Sequence, residues 1–402
     1  IIFGCFVSFV ACMVYFKSWG EGKVNCLGEK ENTMKILYFF KEDDTYMTQW
    51  QRVHIFDELK HHNVNITVLN PSKYETVCQA NEDLINLLRY NKDHYDLFMN
   101  CCGSDLLLPE TMEALKDLSI PKLLICFDNL HAPYIHKDIA PFFDLVWLTS
   151  FETKSIFQKW GCNIIFLPYA ANPYNFKNIY HRDILEVGFI GTPYGTRTLK
   201  LNQLLEHNIA CRICGKLNNG SMEEKKVSNI LTTIDSVKNL SSFSVGRKIL
   251  QGKLLAKIKG NVELESKSEW LTISGPVSFD EMNRLYSNFA LNLNILELRN
   301  TYLLKYPVYK LHLRTFEIPM CAGIQITTYN DELSSYFEED KEIVFYRDLS
   351  ELIDKCRFYL DAKKGNIRKM MRKNIRIRAE QEHTWWNRFT LIFDKLELGG
   401  KL

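Results

Sequence analysis

Short apolar runs alternate with amphipathic stretches of helical length from Met34 to about residue 172. The apolar runs are predicted strands, at residues 36–40, 66–69, 97–100, 123–127, 145–149 and 164–167. The amphipathic stretches are predicted helices, at residues 48–60, 81–90, 109–118 and 152–160. Because such alternation builds a parallel sheet covered on both faces, residues 34–172 are predicted to form a Rossmann-like α/β domain.

A second alternating series follows a polar segment at residues 168–181, which contains Pro173 and is interpreted as a linker, residues 173–182. Its predicted strands are residues 187–190, 209–214, 290–295, 324–328 and 343–346, and its helices are residues 198–207, residues 278–288 and one carrying Arg314. The second Rossmann-like domain is therefore predicted at residues 183–378. Two such units in tandem face a cleft, and ligands of open α/β sheets bind beyond the carboxyl ends of the strands.

Two regions depart from this alternation. Residues 216–270 are rich in Lys, Ser and Asn, contain helical stretches at 223–232 and 245–259, and are predicted to be a helical insertion over the cleft or at a partner surface.

The chain after Asp348 is predicted to be helical. Within it, residues 363–378 carry basic residues and no acid, which suits contact with anionic lipid or a phosphorylated acceptor. A solvated helix face is the favoured interpretation.

Composition narrows the class of protein. A chain of 402 residues exceeds what one hydrophobic core usually serves, which supports two domains. The formal net charge of +2 argues against a general nucleic-acid binder. The twelve cysteines show no framework spacing and are interpreted as reduced residues of a cytosolic protein. Cys211 and Cys214 have zinc-ligand spacing, but they lie in a strand-like run, so a structural role is favoured.

An uncharged apolar run at residues 1–16 precedes Lys17. It is at the short edge of a membrane span and lacks the basic start of a secretory signal. Residues 1–33 are interpreted as a partial anchor, a mis-assigned start or a truncated upstream segment. In each case the body of the protein is expected in the cytoplasm.

A glycine-punctuated turn follows the strand predicted at residues 187–190 and opens a helix, with Gly191, Thr192, Tyr194, Gly195 and Arg197 in it. Glycine lets backbone amides approach a phosphate, and an arginine supplies charge to it. A strand-to-helix turn needs glycine in any case, so the phosphate loop and the plain turn stay open as alternatives. Lys200 is a weaker candidate in the same helix.

Arg314 and Glu317 are three residues apart on the next candidate helix, and therefore share a helical face. A guanidinium and a carboxylate together suit a ligand with an anionic group and hydroxyls, such as a nucleotide diphosphate with its ribose. An ordinary intrahelical ion pair is the alternative.

Five sequence segments follow one another in an order that is typical of one enzyme family. They are DLVWLTSFETKSIFQKWGCNIIFLPYAANP (144–173), EVGFIGTPYGTR (186–197), GPVSFDEMNRLYSNFALNLNI (275–295), R-x-F-E with Cys-x-Gly (314–323) and EIVFYRDLSEL (342–352). This order resembles the CgeB-like (spore-maturation type) glycosyltransferases of the GT-B superfamily. The resemblance covers most of the chain from Met34 onward and is weakest in residues 216–270. It implies a GT-B fold, with an acceptor domain, a nucleotide-sugar donor domain and a C-terminal helix, residues 379–402, that crosses back onto the first domain.

The resemblance also implies roles for particular residues. Glu317 matches the glutamate that accepts hydrogen bonds from the donor ribose, Arg314 is a partner of the diphosphate, and Gly323 permits close approach. The full implied donor-binding set is Gly191, Thr192, Tyr194, Arg197, Arg314, Thr315, Glu317 and Gly323. Many GT-B enzymes carry an earlier glutamate eight positions before this one, where Tyr309 stands here, so the stereochemical outcome stays open. No Asp-x-Asp follows a strand, which fits a metal-independent mechanism without a cofactor.

The first domain is expected to bind the acceptor. Asp128 and His131 follow the strand predicted at residues 123–127, so they are placed at its carboxyl end. Either could act as a general base, His131 directly or Asp128 if its pKa is raised. Alternatively, Asp128 caps the next helix and His131 is polar lining. His54 has no carboxylate or Cys at ligand spacing and is interpreted as a core or surface residue.

Together these features predict a glycosyltransferase that moves a sugar from a nucleotide-diphosphate sugar to a glycan, lipid-linked or protein acceptor. Peripheral association with a membrane stays open as an alternative, and nucleic acid is not an expected partner. The alternatives are a GT-B-shaped binding or scaffold protein without catalysis, and a nucleotide-sugar epimerase on the same architecture.

Overall fold

The computed structural model describes residues 33–43, 46–90, 94–216, 230–260 and 262–401. Residues from Thr33 onward form one compact unit. The predicted N-terminal extension, apart from Thr33, and part of the predicted insertion, residues 217–229, lie outside the described residues.

Within the described residues, twelve strands form two parallel six-stranded sheets. The first sheet has the order β2-β1-β3-β4-β5-β6, with β1 Met34–Phe39, β2 Val64–Leu69, β3 Leu97–Asn100, β4 Lys122–Cys126, β5 Leu145–Leu148 and β6 Ile164–Phe166. The second has the order β12-β11-β10-β7-β8-β9, with β7 Ile184–Ile190, β8 Cys211–Cys214, β9 Leu271–Ser274, β10 Phe289–Asn294, β11 Gln325–Thr328 and β12 Val344–Tyr346. The expected α/β architecture of two Rossmann-like units is therefore confirmed.

The α-helices connect the strands and then continue to the end of the chain. Those of the first half are α1 Tyr46–Gln51, α2 Asp57–Lys60, α3 Val77–Tyr90, α4 Pro109–Ala114 and α5 Lys154–Lys159, with a π-helical turn Arg52–Phe56 between α1 and α2. Those of the second half are α6 Thr196–Glu206, α7 Ile230–Ser241, α8 Ser244–Lys259, α9 Phe279–Asn288, α10 Leu313–Met320, α11 Asp331–Ser334, α12 Leu349–Leu360, α13 Gly365–Glu382 and α14 Trp385–Lys395.

One apolar core joins the two sheets. It includes Tyr38 and Trp147 from the first sheet, Phe289 from the second and Trp385 from α14. The predicted crossing of the C-terminal helix is confirmed, because the backbone amides of Trp385 and Trp386 donate to the carboxylate of Glu58 in α2, at 3.2 and 2.8 Å. The predicted linker contributes to this core, since Phe176 is buried in it, as is Ala171 just before the linker.

The basic run at residues 363–378 is only partly the solvated helix face that the sequence favours: Lys363, Lys369 and Lys373 are exposed, but the arginines of α13 are not. Arg368 and Arg372 of α13 are buried and both bind the carboxylate of Asp183, just before β7. Arg376 donates to the backbone carbonyls of Phe176, at 2.6 Å, and of Met320. These arginines hold α13 against the second sheet and the linker, so part of the charge excess there is structural.

Cys211 and Cys214 lie in β8 and face opposite sides of the second sheet, because each belongs to a different apolar core. Residues three apart on a strand cannot chelate one ion together, so their structural interpretation is supported. Across the described ranges, no helix is both long enough and apolar enough to cross a membrane.

Candidate functional site

The candidate site begins where the strand order of the second sheet reverses, between β7 and β10. Open α/β sheets bind ligands outside the carboxyl ends of strands at such a point. The turn from β7 into α6 lies there, and it contains two glycines with positive φ, Gly191 at 143° and Gly195 at 54°. A side chain at either position would strain the backbone. The turn therefore leaves its amides and the N-terminus of α6 uncovered by side chains at these points.

Two arginines converge on this turn. A Cβ atom on Gly191 would lie 2.8 Å from Arg314 Nη2, so the side chain of Arg314 reaches from α10 to the turn. The Arg197 guanidinium lies 4.4 Å from the centre of the Tyr194 ring and donates to the carbonyl of Thr192 at 3.2 Å. Burial, together with the nearby charge of Arg314, lowers the pKa of Arg197 to about 10. Two cations held together at a glycine turn form a site suited to a polyanion.

Lys310 and His312 lie near Arg197 and Arg314, and the four residues form a cationic cluster. Neither Lys310 nor His312 is among the site residues predicted from the sequence. Burial lowers the pKa of His312 well below its ordinary value, and the charges of Lys310 and Arg197 act in the same direction. The signal that could have found them is the period of two in Lys310 and His312, in the extended segment that leads into α10. In an extended segment, alternate residues point to the same side.

Lys310 connects the two domains. Its ammonium group forms an ion pair with Asp128 in the loop after β4; the lysine side chain is 4% exposed and the aspartate side chain 70%. Partial desolvation would raise the pKa of Asp128, but the charge and hydrogen bond of Lys310 outweigh it and lower this pKa. A raised pKa, which is the condition on which Asp128 could act as a general base, is therefore not found. Asp128 is ionised and paired at neutral pH, which makes it a weak base.

His131 lies beside the same pair. Burial lowers its pKa to about 4, and the charge of Lys310 adds to the shift. The imidazole is therefore neutral at pH 7. Its Nδ1 atom is buried and accepts no hydrogen bond from the described residues. A nitrogen of a neutral imidazole can accept a hydrogen bond from a hydroxyl group of a ligand or donate one to it, depending on the tautomer.

Glu317 contacts the first domain. It is buried in the second turn of α10, and its Oε1 atom lies 3.1 Å from Nε2 of His54 in the first domain. His54 is a core residue, which is one of the two alternatives given for it from the sequence. Its carboxylate partner is 263 positions away in the chain. The structure thus brings Arg314 to the glycine turn and places Glu317 between the domains.

Thr315 and Gly323 have local structural partners. The Thr315 hydroxyl is buried and accepts from the backbone amide of His312 and from Asn294 Nδ2, both at 3.1 Å, at the start of α10. Gly323 lies beyond the other end of α10, where a Cβ atom would be 2.6 Å from the carbonyl of Tyr286. The close approach at Gly323 is that of the protein backbone. Thr315 contacts the cationic cluster only through the backbone amide of His312, and Gly323 lies beyond the opposite end of α10.

A carboxylate stands beside Tyr309, the position of the earlier glutamate in many GT-B enzymes. Glu297, just after β10, pairs with Tyr309 in an antiparallel bridge. Its Oε1 atom accepts from the Thr328 hydroxyl at 3.2 Å, and its buried Oε2 atom has no partner among the described residues. The sequence could not show this, because the bridge depends on how the loops after β10 fold.

The insertion packs where the two domains meet. Phe243 and Ile249, at the α7–α8 hairpin, share a small apolar cluster with Leu130 of the first domain and with Leu298 and Val308 of the second. Leu130 is adjacent to His131, and Val308 lies close in sequence to Lys310. The prediction that the insertion lies over the cleft is consistent with this placement.

Residues 247–394 match a family model described as glycosyl transferase-like. No curated protein matches the chain in sequence. One similar solved structure is a glycosyltransferase from Rickettsia africae, with 12% sequence identity and a TM-score of 0.53 over 91% of this chain and 99% of that one. A second is HepE from Anabaena in complex with UDP and glucose, with 11% identity and a TM-score of 0.52 over 90% of this chain and 99% of that one. A third is an alpha-glucosyltransferase in complex with UDP and a 13-mer DNA containing a HMU base, with 11% identity and a TM-score of 0.57 over 91% of this chain and 100% of that one. The chain therefore has the GT-B fold of two facing Rossmann-like domains that these glycosyltransferase structures share.

Proposed function

We propose that the protein is a metal-independent glycosyltransferase that moves a hexosyl group from a nucleotide-diphosphate sugar to a glycan, lipid-linked or protein acceptor. The observation that carries the proposal is the convergence of Arg197 and Arg314 on the glycine turn between β7 and α6, with the charge of Lys310 acting on the neighbouring His312. A leaving diphosphate develops negative charge, and fixed cations and helix N-terminal amides stabilise that charge. The match of residues 247–394 to a glycosyl transferase-like family supports the same activity.

The donor is proposed to bind the second domain, with its diphosphate at Gly191, Thr192 and the two arginines. Tyr194 is half exposed beside Arg197 and would line the same subsite. Two of the similar structures contain UDP, which supports a nucleotide diphosphate as the ligand. The CgeB-like subtype and a role in cell-surface polysaccharide synthesis belong to the proposal and rest on the order of sequence motifs alone.

On the acceptor side, His131 is proposed to accept a hydrogen bond from the acceptor hydroxyl through Nδ1. Asp128 is proposed to hold Lys310 near the reacting groups while its own charge is neutralised by that lysine. Because neither group has a pKa near 7, base strength alone would contribute little to the rate. Positioning of the acceptor and stabilisation of the diphosphate would contribute more.

Arg314→Gln is expected to lower kcat/KM for the donor by about 10- to 100-fold, since a hydrogen bond to a charged group contributes about 1.5–3 kcal/mol. A panel of nucleotide sugars, first ranked by thermal shift, would supply the donor for the assay. Arg284→Gln is the matched control, because Arg284 forms an exposed pair with Glu281 on α9. Equal losses in both variants, or none in Arg314→Gln, would contradict the proposed diphosphate site.

Glu317→Gln tests the proposed ribose contact. Glutamine can still accept a hydrogen bond from His54 Nε2, so stability should change little, whereas the donor KM should rise about tenfold as the charged acceptor is lost. His54→Gln is the companion variant and should lower stability without changing the donor KM. If both variants change only the melting temperature, Glu317 is a residue of the domain interface and not a donor ligand.

A silent GT-B-like binding protein is the second candidate, and Tyr309 at the earlier glutamate position favours it. The two candidates differ in turnover, not in nucleotide binding. Slow hydrolysis of a bound nucleotide sugar without acceptor, lost in Arg314→Gln, supports the enzyme. Nucleotide binding without hydrolysis or transfer, across the whole donor panel, supports the binding protein.

A further inference from the structure

Helix α8 has two different faces. Val245, Ile249 and Gly252 form its inner face, which is buried. A Cβ atom on Gly252 would lie 2.8 Å from the backbone of Asn300, so the helix packs directly on the segment that carries Arg299. This contact fixes the orientation of α8 relative to the second domain.

The outer face carries apolar side chains that nothing described covers. Leu254 is 61% exposed and Ile258 is 73% exposed. They are four residues apart and therefore lie on the same side of the helix, one turn from each other. Single exposed apolar residues are common on protein surfaces, but here two large ones form a stripe at the end of a helix whose other face is buried.

Basic residues surround this stripe. The helix sequence, SVGRKILQGKLLAKIK, contains five basic residues and no acidic ones. Lys253, Lys257 and Lys259 flank the apolar pair. Partial burial and the charges of Arg299 and Lys257 lower the pKa of Lys253. The charge of Arg299 also helps to lower the pKa of His131. Positive charge thus extends from the candidate transfer site to the outer end of α8.

We propose that the outer end of α8, residues 253–259, is a docking surface for an anionic lipid bilayer. Lysines attract anionic headgroups, and the two apolar side chains between them enter the boundary between headgroups and acyl chains. An anionic polymer such as a nucleic acid would need the lysines only, and would leave Leu254 and Ile258 without a role. The apolar pair is therefore the feature that favours a bilayer.

This docking places the candidate site close to the membrane surface. The buried half of α8 packs beside Leu130 and Val308, at the junction of the two domains. An acceptor anchored in the bilayer would then approach the domain junction along the positively charged path. Among the acceptor classes in the proposed function, this inference selects the lipid-linked one, and the docking itself does not depend on the transfer reaction.

Vesicle co-sedimentation of the full chain tests the proposal, with phosphatidylglycerol-containing vesicles compared with pure phosphatidylcholine vesicles. Binding to the anionic vesicles only is expected. The double variant Leu254→Asn, Ile258→Asn should weaken that binding at least tenfold. Lys253→Gln, Lys257→Gln and Lys259→Gln should each weaken it by about fivefold, and added salt should do the same.

The matched control changes the same residue types on α13, which also exposes an apolar side chain among lysines: Met370 is 65% exposed. Met370→Asn with Lys369→Gln and Lys373→Gln should leave vesicle binding within about twofold. The docking surface is wrong if these α13 changes weaken binding as much as the α8 changes do, or if anionic vesicles bind no better than neutral ones. Unchanged binding in the Leu254, Ile258 variant, with full competition by soluble polyphosphate, would indicate an anionic polymer instead.

These outcomes are separable from those of the proposed function. Nucleotide-sugar hydrolysis without acceptor needs no membrane, so it should be unchanged in all the α8 variants. Loss of vesicle binding with retained hydrolysis confirms independent surfaces. Loss of hydrolysis in the α8 variants with a normal circular dichroism spectrum would show that α8 acts on the site itself, and would overturn a docking role.

Discussion

Asp183→Ala is expected to lower the free energy of unfolding by about 3–5 kcal/mol, the cost of breaking a buried ion pair from one side. Asp183 Oδ2 binds Arg368 Nη2 at 2.8 Å, and Asp183 Oδ1 binds Arg372 Nη2 at 3.1 Å. Both guanidinium groups are buried. Removal of the carboxylate would leave two buried cations without their shared counter-charge. Their remaining contacts include backbone carbonyls, such as those of Ser287 and Phe289, and the Tyr180 ring, whose centre lies 4.8 Å from the Arg372 guanidinium.

Urea unfolding followed by fluorescence measures this change, because the seven tryptophans of the chain report on its folding. Asp183→Asn keeps the shape of the side chain and separates the loss of charge from the loss of packing. Glu281→Ala removes one partner of an exposed ion pair with Arg284 and should cost less than about 1 kcal/mol. A similar small effect at Asp183 would mean that the two arginines are adequately held by carbonyl groups alone.

The alternation of apolar and amphipathic stretches was sufficient to predict eleven of the twelve strands, because parallel strands buried on both faces leave a strong pattern. β9 was missed. Its residues, Leu271–Ser274, are not fully buried at the edge of the second sheet, so they lack that pattern and were assigned to the boundary of the insertion. The burial of the arginines of α13 was missed for another reason. A charged residue in a sequence does not show whether its side of the helix packs against a buried residue of opposite charge.

The glycine turn after β7 and the cation on α10 were predictable, because both depend on residues close in sequence. The contacts between domains were not. Lys310 with Asp128 and His54 with Glu317 join residues 182 and 263 positions apart, and a single sequence gives no measure of such distances. The local pattern thus located the glycine turn and the arginine of the candidate site, whereas its contacts with the first domain required the packing of one domain on the other.

Acid is expected to destabilise the protein below about pH 6.5, because several histidines are buried in their neutral form. His383 shows the cause most clearly. Its Nδ1 atom lies 3.0 Å from Arg388 Nη2, which can only donate, so Nδ1 must be the unprotonated acceptor. Burial and the charge of Arg388 lower the pKa of His383 to about 3. The native state therefore resists a proton that the unfolded chain binds near pH 6.5.

Three more histidines act in the same direction. Burial lowers the pKa values of His131 and His136 to about 4, and that of His312 further. A depressed histidine pKa gives stability that is present above the unfolded value and is lost as the pH falls below it. Two carboxyls oppose this, since burial raises the pKa values of Glu58 and Glu332 to about 7, so the native state holds two protons that the unfolded state releases. The unfolded state then binds about two more protons than the native state between pH 6 and 5.

Two protons correspond to a loss of up to about 3 kcal/mol of unfolding free energy for each pH unit in that window. Urea unfolding at pH 7.5, 6.5, 5.5 and 5 measures the slope. His383→Gln can still accept from Arg388 and removes one of the protons, so it should make the slope shallower by about 1.4 kcal/mol per pH unit. His181→Gln, at an exposed position, should leave the slope unchanged. A free energy of unfolding that stays constant from pH 7.5 to 5 would contradict burial of these histidines as neutral groups.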